Sequence, residues 1–451
     1  MRKLKPPHII ILSFLAAILI GTVLLSLPIS VHKGNSVPFI DRLFTATSAT
    51  CVTGLVVKST ASWSEFGKIV IMVLFQAGGL GIMTFSTLFA LLLGRKITIS
   101  ENLIMKGTIG RHGLGNLKRL IAYIVGIVLL VETVGAALLF MRWRAIEKWS
   151  LMTNIYNSIF HSISAFCNAG FSLFNRSFVG FREDIFINAI MIALIFIGGI
   201  GFVVILDLWQ LMLRGKDRRP FFARISIQTK IVLTISLVLI LAGAAAIFFL
   251  EKDNALAGLD TKGKVLSSVF QSVTARTAGF NTLKIGSLAT PTLLFLIFLM
   301  FIGASPGSTG GGIKTATFGV LIAGTIAMIK NKDRVWMFRK TIARSAIRKA
   351  MAIFILGLTW IFVASFILSI TEKGHVYGAN YYVKILFETV SAFGTVGLST
   401  GITSALSEIG KLIVIITMFV GRIGPLTLAL AVALQEEKLL YNYSEEHIMV
   451  G

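Results

Sequence analysis

A short segment closed by glycine and an apolar residue comes round four times in this chain at nearly even intervals. No other feature restricts the fold as much. The copies read Ser48-Ala-Thr-Cys-Val-Thr-Gly-Leu55, Ser164-Ala-Phe-Cys-Asn-Ala-Gly-Phe171, Thr274-Ala-Arg-Thr-Ala-Gly-Phe280 and Ser391-Ala-Phe-Gly-Thr-Val-Gly-Leu398. Their glycines, Gly54, Gly170, Gly279 and Gly397, lie 116, 109 and 118 residues apart. Solenoid repeats run to about 20–50 residues, so each copy must sit in a unit larger than a solenoid repeat.

What fills the unit is apolar sequence. A helix needs about 20 apolar residues to cross the hydrocarbon layer, and the runs 8–28, 69–93, 120–141, 185–213, 231–250, 292–329, 350–370 and 411–434 meet that length. Between the members of each pair lies a shorter segment, 39–50, 153–166, 265–275 or 381–393, that ends in the glycine motif. These segments are long enough for a few helical turns and too short or polar to span, so they read as re-entrant helices. The expected fold is an all-α membrane protein of eight transmembrane helices, with four pseudo-symmetric helix, pore loop, helix repeats around one central pore. The expected boundaries are 1–94, 95–213, 214–330, 331–434 and a tail, 435–451. With 55% hydrophobic and 14% charged residues, against about 25% charged in soluble domains, the chain cannot cover a water-soluble surface. The N-terminus resembles a signal peptide, but its apolar run is too long and ends in Leu27-Pro28 without a small-residue cleavage site, so it reads as the first span.

Units that enter and leave on one side put all linkers on that side. The linkers 94–119, 214–230 and 330–349 carry 6, 6 and 8 Lys or Arg. Tails and linkers together hold 24 bases and the opposite loops 17, which places both termini in the cytoplasm by the positive-inside rule. Because these bases fall in blocks between apolar runs, the net charge of +23 does not indicate nucleic-acid binding.

A re-entrant helix whose C-terminal end points at mid-membrane presents the negative end of its dipole, which favours a cation. Non-helical backbone at that depth must line a water-filled path or be packed in protein, and glycine permits the dihedrals that align successive carbonyls. Rings of carbonyls replace an ion's hydration shell in potassium filters, and Thr395-Val-Gly397 matches the start of the Thr-Val-Gly-Tyr-Gly loop. All four copies stop at one glycine, and the other three read Val-Thr-Gly, Asn-Ala-Gly and Thr-Ala-Gly, so charge selection is better founded than strict K+ over Na+ selection.

The run 292–329 is broken by Gly303-Ala-Ser-Pro-Gly-Ser-Thr-Gly-Gly-Gly312, a stretch poor in helix formers that should face a cavity. Its tail, Gly312-Ile-Lys-Thr315, lacks the glycine before lysine and the preceding strand that a phosphate loop needs. Lys314 and Arg422 are bases within spans. Intramembrane charge is a functional hypothesis by default: they oppose permeation, or hold the broken segment through its carbonyls, or Lys314 snorkels to the cytoplasm. Arg276, beside Thr277, braces a neighbouring loop or Glu388, or faces the ion path. Glu132 and Asp207 look like helix-borne carboxylates of a relay. The alternatives are packing against a polar helix for Glu132 and an interfacial anchor for Asp207. The second helices share a glycine mark at Gly78-Gly-Leu-Gly81, Gly198-Gly-Ile-Gly201, the run from Gly303-Ala-Ser-Pro306 and Gly421-Arg-Ile-Gly424; the first two read as close helix packing through small residues, and the third and fourth differ. Cys51 and Cys167 hold equivalent motif positions and suggest small side chains in a common environment, not a crosslink or metal site. No constellation of catalytic side chains emerges, so the chain is not read as an enzyme.

These residues resemble the Trk/Ktr/HKT superfamily of potassium transport proteins over essentially the whole chain. The likeness is greatest to the KtrB-type membrane subunit of bacterial Ktr systems. Thr45-Ala-Thr-Ser-Ala-Thr-Cys-Val-Thr-Gly-Leu55, Arg276-Thr-Ala-Gly-Phe280 and Phe419-Val-Gly-Arg-Ile-Gly-Pro425 carry it. The resemblance implies four M1-P-M2 repeats and a potassium filter of Val52, Thr53 and Gly54; Asn168, Ala169 and Gly170; Thr277, Ala278 and Gly279; Thr395, Val396 and Gly397. It implies an intramembrane gating loop of Gly303, Ala304, Ser305, Pro306, Gly307, Ser308, Thr309, Gly310, Gly311 and Gly312, with Arg422 interacting from beneath the filter and Lys314 at the loop's end. It further implies a homodimer in the bacterial plasma membrane on a cytoplasmic ring of nucleotide-binding subunits. That ring binds ATP or ADP, and no cofactor binds this chain. K+ is then the permeant ion, and sodium dependence is common among Ktr systems, with Na+ either permeating or regulating. The acidic tail 435–451 would meet the partner subunit or the ring. Two other readings stay open: a Na+- or H+-coupled symporter, since such proteins also use broken helices, and a non-transporting scaffold.

Overall fold

The computed structural model describes residues 6–32, 34, 36–81, 117–213, 221–332, 334–375 and 380–432. Residues 82–93 of the run 69–93, 94–116 of the linker 94–119, part of the linker 214–230 and the tail 435–451 lie outside the described residues. In chain order the elements are α1 (Pro6–Ser26), α2 (Phe39–Thr50), α3 (Glu65–Leu80), α4 (Leu117–Ile146), α5 (Leu151–Phe166), α6 (Ile185–Ile200), α7 (Phe202–Leu213), α8 (Phe221–Arg224), α9 (Ile227–Glu251), α10 (Thr261–Thr274), α11 (Thr290–Phe301) and α12 (Thr315–Ile329). A hairpin of β1 (Trp336–Met337) and β2 (Lys340–Thr341) follows, then α13 (Arg344–Thr371), α14 (Tyr381–Gly394), α15 (Glu408–Ile423) and α16 (Pro425–Val432).

Among the described residues, four helices are single pieces long and apolar enough to cross a membrane: α1, α4, α9 and α13. A fifth span results if α6 and α7, which meet at 96°, count as one. The helices α2, α5, α10 and α14 have 12 to 16 residues. At 1.5 Å per residue that is about 18–24 Å, short of a hydrocarbon layer of about 30 Å. Polar caps start two of them: Ser150 accepts from the Thr153 amide at 3.1 Å, and Asp260 from the Gly263 amide at 2.7 Å.

The runs 69–93, 185–213 and 411–434, expected as continuous helices, are interrupted wherever they are described. α3, α6 and α15 stop at Gly81, Gly201 and Gly424, whose φ angles are 80°, 91° and 91°. A residue in that region cannot continue a right-handed helix, and glycine enters it without a Cβ penalty. The first glycine does pack closely, as expected for Gly78 and Gly198, and Gly421 does so too. A side-chain carbon on Gly78, Gly198 or Gly421 would collide with the carbonyl of Thr50, Phe166 or Phe393, near the end of the short helix of its own unit.

The units are arranged cyclically. α3 packs against α5, α6 against α10, α11 against α14, and α15 against α2, so each second helix meets the next unit's short helix and the last closes on the first. An ion pair between Lys411 of α15 and Asp41 of α2, 2.7 Å apart and largely buried, seals that closure. At the α3–α5 contact, Phe75 meets Phe160 edge-to-face at 5.5 Å between centroids.

Candidate functional site: a ring of four backbone loops

Each short helix runs into its glycine motif through the same backbone pattern. Val52, Asn168, Thr277 and Thr395 have φ of 57°, 56°, 69° and 48°, and two residues on, Gly54, Gly170, Gly279 and Gly397 have φ of 87°, 69°, 80° and 90°. Three of the four non-glycine residues are β-branched, for which positive φ is a genuine outlier. Such strain persists only where the surroundings over-determine it, as at ion and ligand sites.

The four loops touch in a closed cycle. A side-chain carbon on Gly170 would lie 2.9 Å from the Ala278 carbonyl oxygen, and one on Gly279 would lie 2.7 Å from that of Val396. Likewise Gly54 faces the Ala169 carbonyl and Gly397 faces that of Thr53. Every glycine thus abuts the carbonyl just before the next loop's glycine, around all four units. The same glycines floor a cavity of about 430 Å³, lined higher up by hydroxyl residues such as Ser59, Ser172 and Thr400 and by Arg176 and Lys284. Carbonyls and four helix C-terminal ends converge here, a combination that favours a cation.

The opening hydroxyl of the motif has a role that sequence reasoning missed. Ser48 donates to the Leu55 carbonyl at 2.7 Å, Ser164 to that of Phe171 at 2.8 Å and Thr274 to that of Phe280 at 2.6 Å. Each ties the start of its motif to the motif's last residue and fixes the loop's curvature. The signal was the Ser or Thr opening all four copies.

The segment 303–312 lies against the first residues of the third and fourth loops. Gly311 N–H donates to Thr395 Oγ1 at 2.9 Å, and a side-chain carbon on Gly310 would meet the Thr277 side chain. Its two ends are joined by a parallel bridge between Ile302 and Ile313. The segment also docks on the break in unit two: Ser305 N–H donates to the Gly199 carbonyl at 3.1 Å, Thr309 Oγ1 to that of Gly198 at 3.2 Å, and Phe202 N–H to that of Gly307 at 2.9 Å. The break at Gly201 therefore frees carbonyls that the segment occupies. Arg422, at the register of Gly79 and Gly199, donates to the carbonyls of Thr309 and Gly78. Lys314 donates to the Gly310 carbonyl at 2.6 Å.

The remaining sequence candidates lie away from the ring's axis. Arg276 points to the Ser236 carbonyl, 3.4 Å away, beside Ala304, and not to Glu388. Glu132 accepts from Gln76 at 3.0 Å, and Gln76 accepts from the Cys167 thiol at 3.0 Å, a chain behind the second loop. Asp207 accepts from Ser226 N–H at 2.9 Å and Thr229 Oγ1 at 2.6 Å, tying α7 to the start of α9. Cys51 and Cys167 are buried free thiols.

Long apolar helices around a cation-favouring backbone ring define a multi-pass membrane protein of the cation-transport class. The chain belongs to the TrkH family, described as cation transport protein, whose profile matches residues 5–441. It is 40% identical to the Ktr system potassium uptake protein B of Vibrio alginolyticus, over 99% of this chain and 95% of that one. It is 36% identical to the potassium/sodium uptake protein NtpJ of Enterococcus hirae, over 100% of this chain and 98% of that one. The crystal structure of the potassium transporter TrkH from Vibrio parahaemolyticus has the same fold, with a TM-score of 0.74 at 18% identity, covering 96% of this chain and 86% of that one.

Proposed function

We propose that the chain takes up potassium across the bacterial plasma membrane through a filter made by the four glycine loops. The closed cycle of glycine-to-carbonyl contacts is the observation that carries this reading. In it, the chain forms four M1-P-M2 units with eight spans, bounded at 1–94, 95–213, 214–330 and 331–434, with the tail 435–451 and both termini cytoplasmic. The filter is Val52 to Gly54, Asn168 to Gly170, Thr277 to Gly279 and Thr395 to Gly397. Residues 303–312 are the gate, and Arg422 and Lys314 hold it under the filter through the carbonyls of Thr309 and Gly310. The chain works as a homodimer on a cytoplasmic ring of subunits that bind ATP or ADP. The similarity to the Ktr system potassium uptake protein B of Vibrio alginolyticus supports K+ as the permeant ion.

The test is K+ and Na+ flux in liposomes holding the purified protein, with and without the partner ring. K+ uptake that the ring modulates supports the proposal; absence of K+ flux in both states overturns it. The similarity to a potassium/sodium uptake protein and the broken second helices favour a second reading, Na+-coupled symport. Uptake at fixed stoichiometry with Na+, measured with the H+ gradient clamped, would select it over a pore.

A further inference from the structure

The fourth loop is supported differently from the other three. Its opening hydroxyl, Ser391 Oγ, is buried and makes no hydrogen bond, whereas Ser48, Ser164 and Thr274 each hook a carbonyl at the end of their motif. Support comes instead from Glu388, one turn earlier on α14 and only 1% exposed. Its carboxylate accepts from Ser399 Oγ at 2.9 Å and from Thr403 Oγ1. Ser399 in turn accepts from Gly401 N–H at 2.9 Å. Ser399 stands two residues past Gly397, and with Thr403 it lines the cavity above the ring.

The second unit repeats the arrangement at the same register. Glu388 precedes the first loop residue, Thr395, by seven positions, and His161 precedes Asn168 by seven. His161 Nε2 lies 3.1 Å from Ser172 Oγ and accepts from Leu173 N–H at 3.2 Å, and Ser172 is two residues past Gly170. The other ring nitrogen, Nδ1, donates to the Asn157 carbonyl at 2.8 Å. In units one and three the position holds Thr45, which donates to its own helix at Asp41, and Phe270. Units two and four face each other across the cycle, so the outer mouth is braced along one diagonal.

We propose that Glu388 is a positioning residue for ion selection, a strut that fixes the outer end of the fourth loop, with His161 as its counterpart across the ring. The inference rests on the filter reading above. A loop without its hook and strut is free to shift its carbonyls, and a carbonyl ring selects through the placement of those oxygens.

The test compares Glu388→Ala, Glu388→Gln and Gly397→Ser in liposome flux, together with hydrogen exchange of the backbone at 395–403. Glu388→Ala is expected to lower the K+ to Na+ permeability ratio roughly tenfold or more, the scale of one lost hydrogen bond to a charged group, and to speed exchange at 395–403. Glu388→Gln keeps an acceptor and a donor for the two hydroxyls and is expected to stay near wild type in both readouts. A Glu388→Ala protein with wild-type exchange at 395–403 overturns the strut. So does a Gln variant that behaves like Ala, which would assign the effect to charge. Gly397→Ser separates the two readings. If it alters the ratio while Glu388→Ala does not, the filter stands and the strut falls. If neither alters it, the filter reading fails, and the role of Glu388 in ion selection falls with it even where exchange at 395–403 is faster.

Discussion

Arg422 donates from one guanidinium to the carbonyls of both Thr309 and Gly78, joining the segment 303–312 to the C-terminal end of α3. One planar cation thereby holds the non-helical segment against the last turn of α3. Hydrogen bonds to a charged group are worth about 1.5–3 kcal/mol. Arg422→Gln is therefore expected to raise K+ flux in the absence of the cytoplasmic partner by roughly tenfold or more. Lysine lacks the rigid fork, so Arg422→Lys should fall between the two. Flux unchanged in both variants would mean that the segment does not depend on this bridge.

The glycine ring predicts a graded response to added side chains. In Gly397→Ser the new Cβ would enter the space of the Thr53 carbonyl, at a φ of 90°. Strain of ~1–2 kcal/mol in a left-handed L-residue, placed in the proposed filter backbone, should lower the K+ to Na+ permeability ratio by roughly tenfold. Gly401 also has positive φ, 99°, but has open space around it, so Gly401→Ala should leave the ratio near wild type. Bi-ionic reversal potentials measure both.

The short helices were legible in the sequence because polarity and a glycine motif bounded them. The segment 381–393, for example, corresponds to α14, Tyr381–Gly394. The breaks at Gly81, Gly201 and Gly424 were not. A Gly-Gly-x-Gly run in an apolar helix satisfies close packing equally well, and the first glycine does pack closely. Only the dihedral of the third separates a straight helix from a broken one. Arg276 was misleading for a related reason. Its place beside Thr277 suggested the ion path, or a brace on a neighbouring loop or Glu388, but its side chain turns to the Ser236 carbonyl of α9. Which way a side chain leaves a left-handed turn is set by the loop's fold, not by its position in the motif.

The cavity above the ring carries Arg176 and Lys284, both exposed, among its lining residues. Positive charge at the mouth of a low-dielectric funnel lowers the local cation concentration. Arg176→Gln with Lys284→Gln is expected to raise the initial K+ uptake rate about two- to fivefold at low salt, and to lose that gain near 0.15 M salt, where the Debye length is about 8 Å. A gain independent of ionic strength would point to a steric effect.

Closure of the cycle depends on the Lys411–Asp41 pair, whose side chains are only 12% and 5% exposed. Breaking a buried pair leaves one charge uncompensated and costs about 3–5 kcal/mol. Asp41→Ala should thus lower the thermal unfolding midpoint clearly, whereas Asp41→Leu combined with Lys411→Met should recover most of the loss. A double variant as unstable as the single one would mean that the pair's geometry, and not its charge balance, holds α2 against α15.

Removal of residues 304–310 tests the segment itself. The deletion takes away the amides of Ser305 and Thr309 that bind Gly199 and Gly198, the Thr309 carbonyl that Arg422 holds, and the backbone packed under Thr277. The freed carbonyls at the unit-two break would then face the space below the ring, where water can satisfy them, so the cost falls on the segment's docking and not on the ring. K+ flux without the proposed partner ring should rise above wild type, and the ratio of K+ to Na+ permeability should change little, because the proposed filter loops are retained. A deletion variant that elutes as folded protein yet conducts no faster would show that 303–312 is a structural plug of the broken helix and that the gate lies elsewhere.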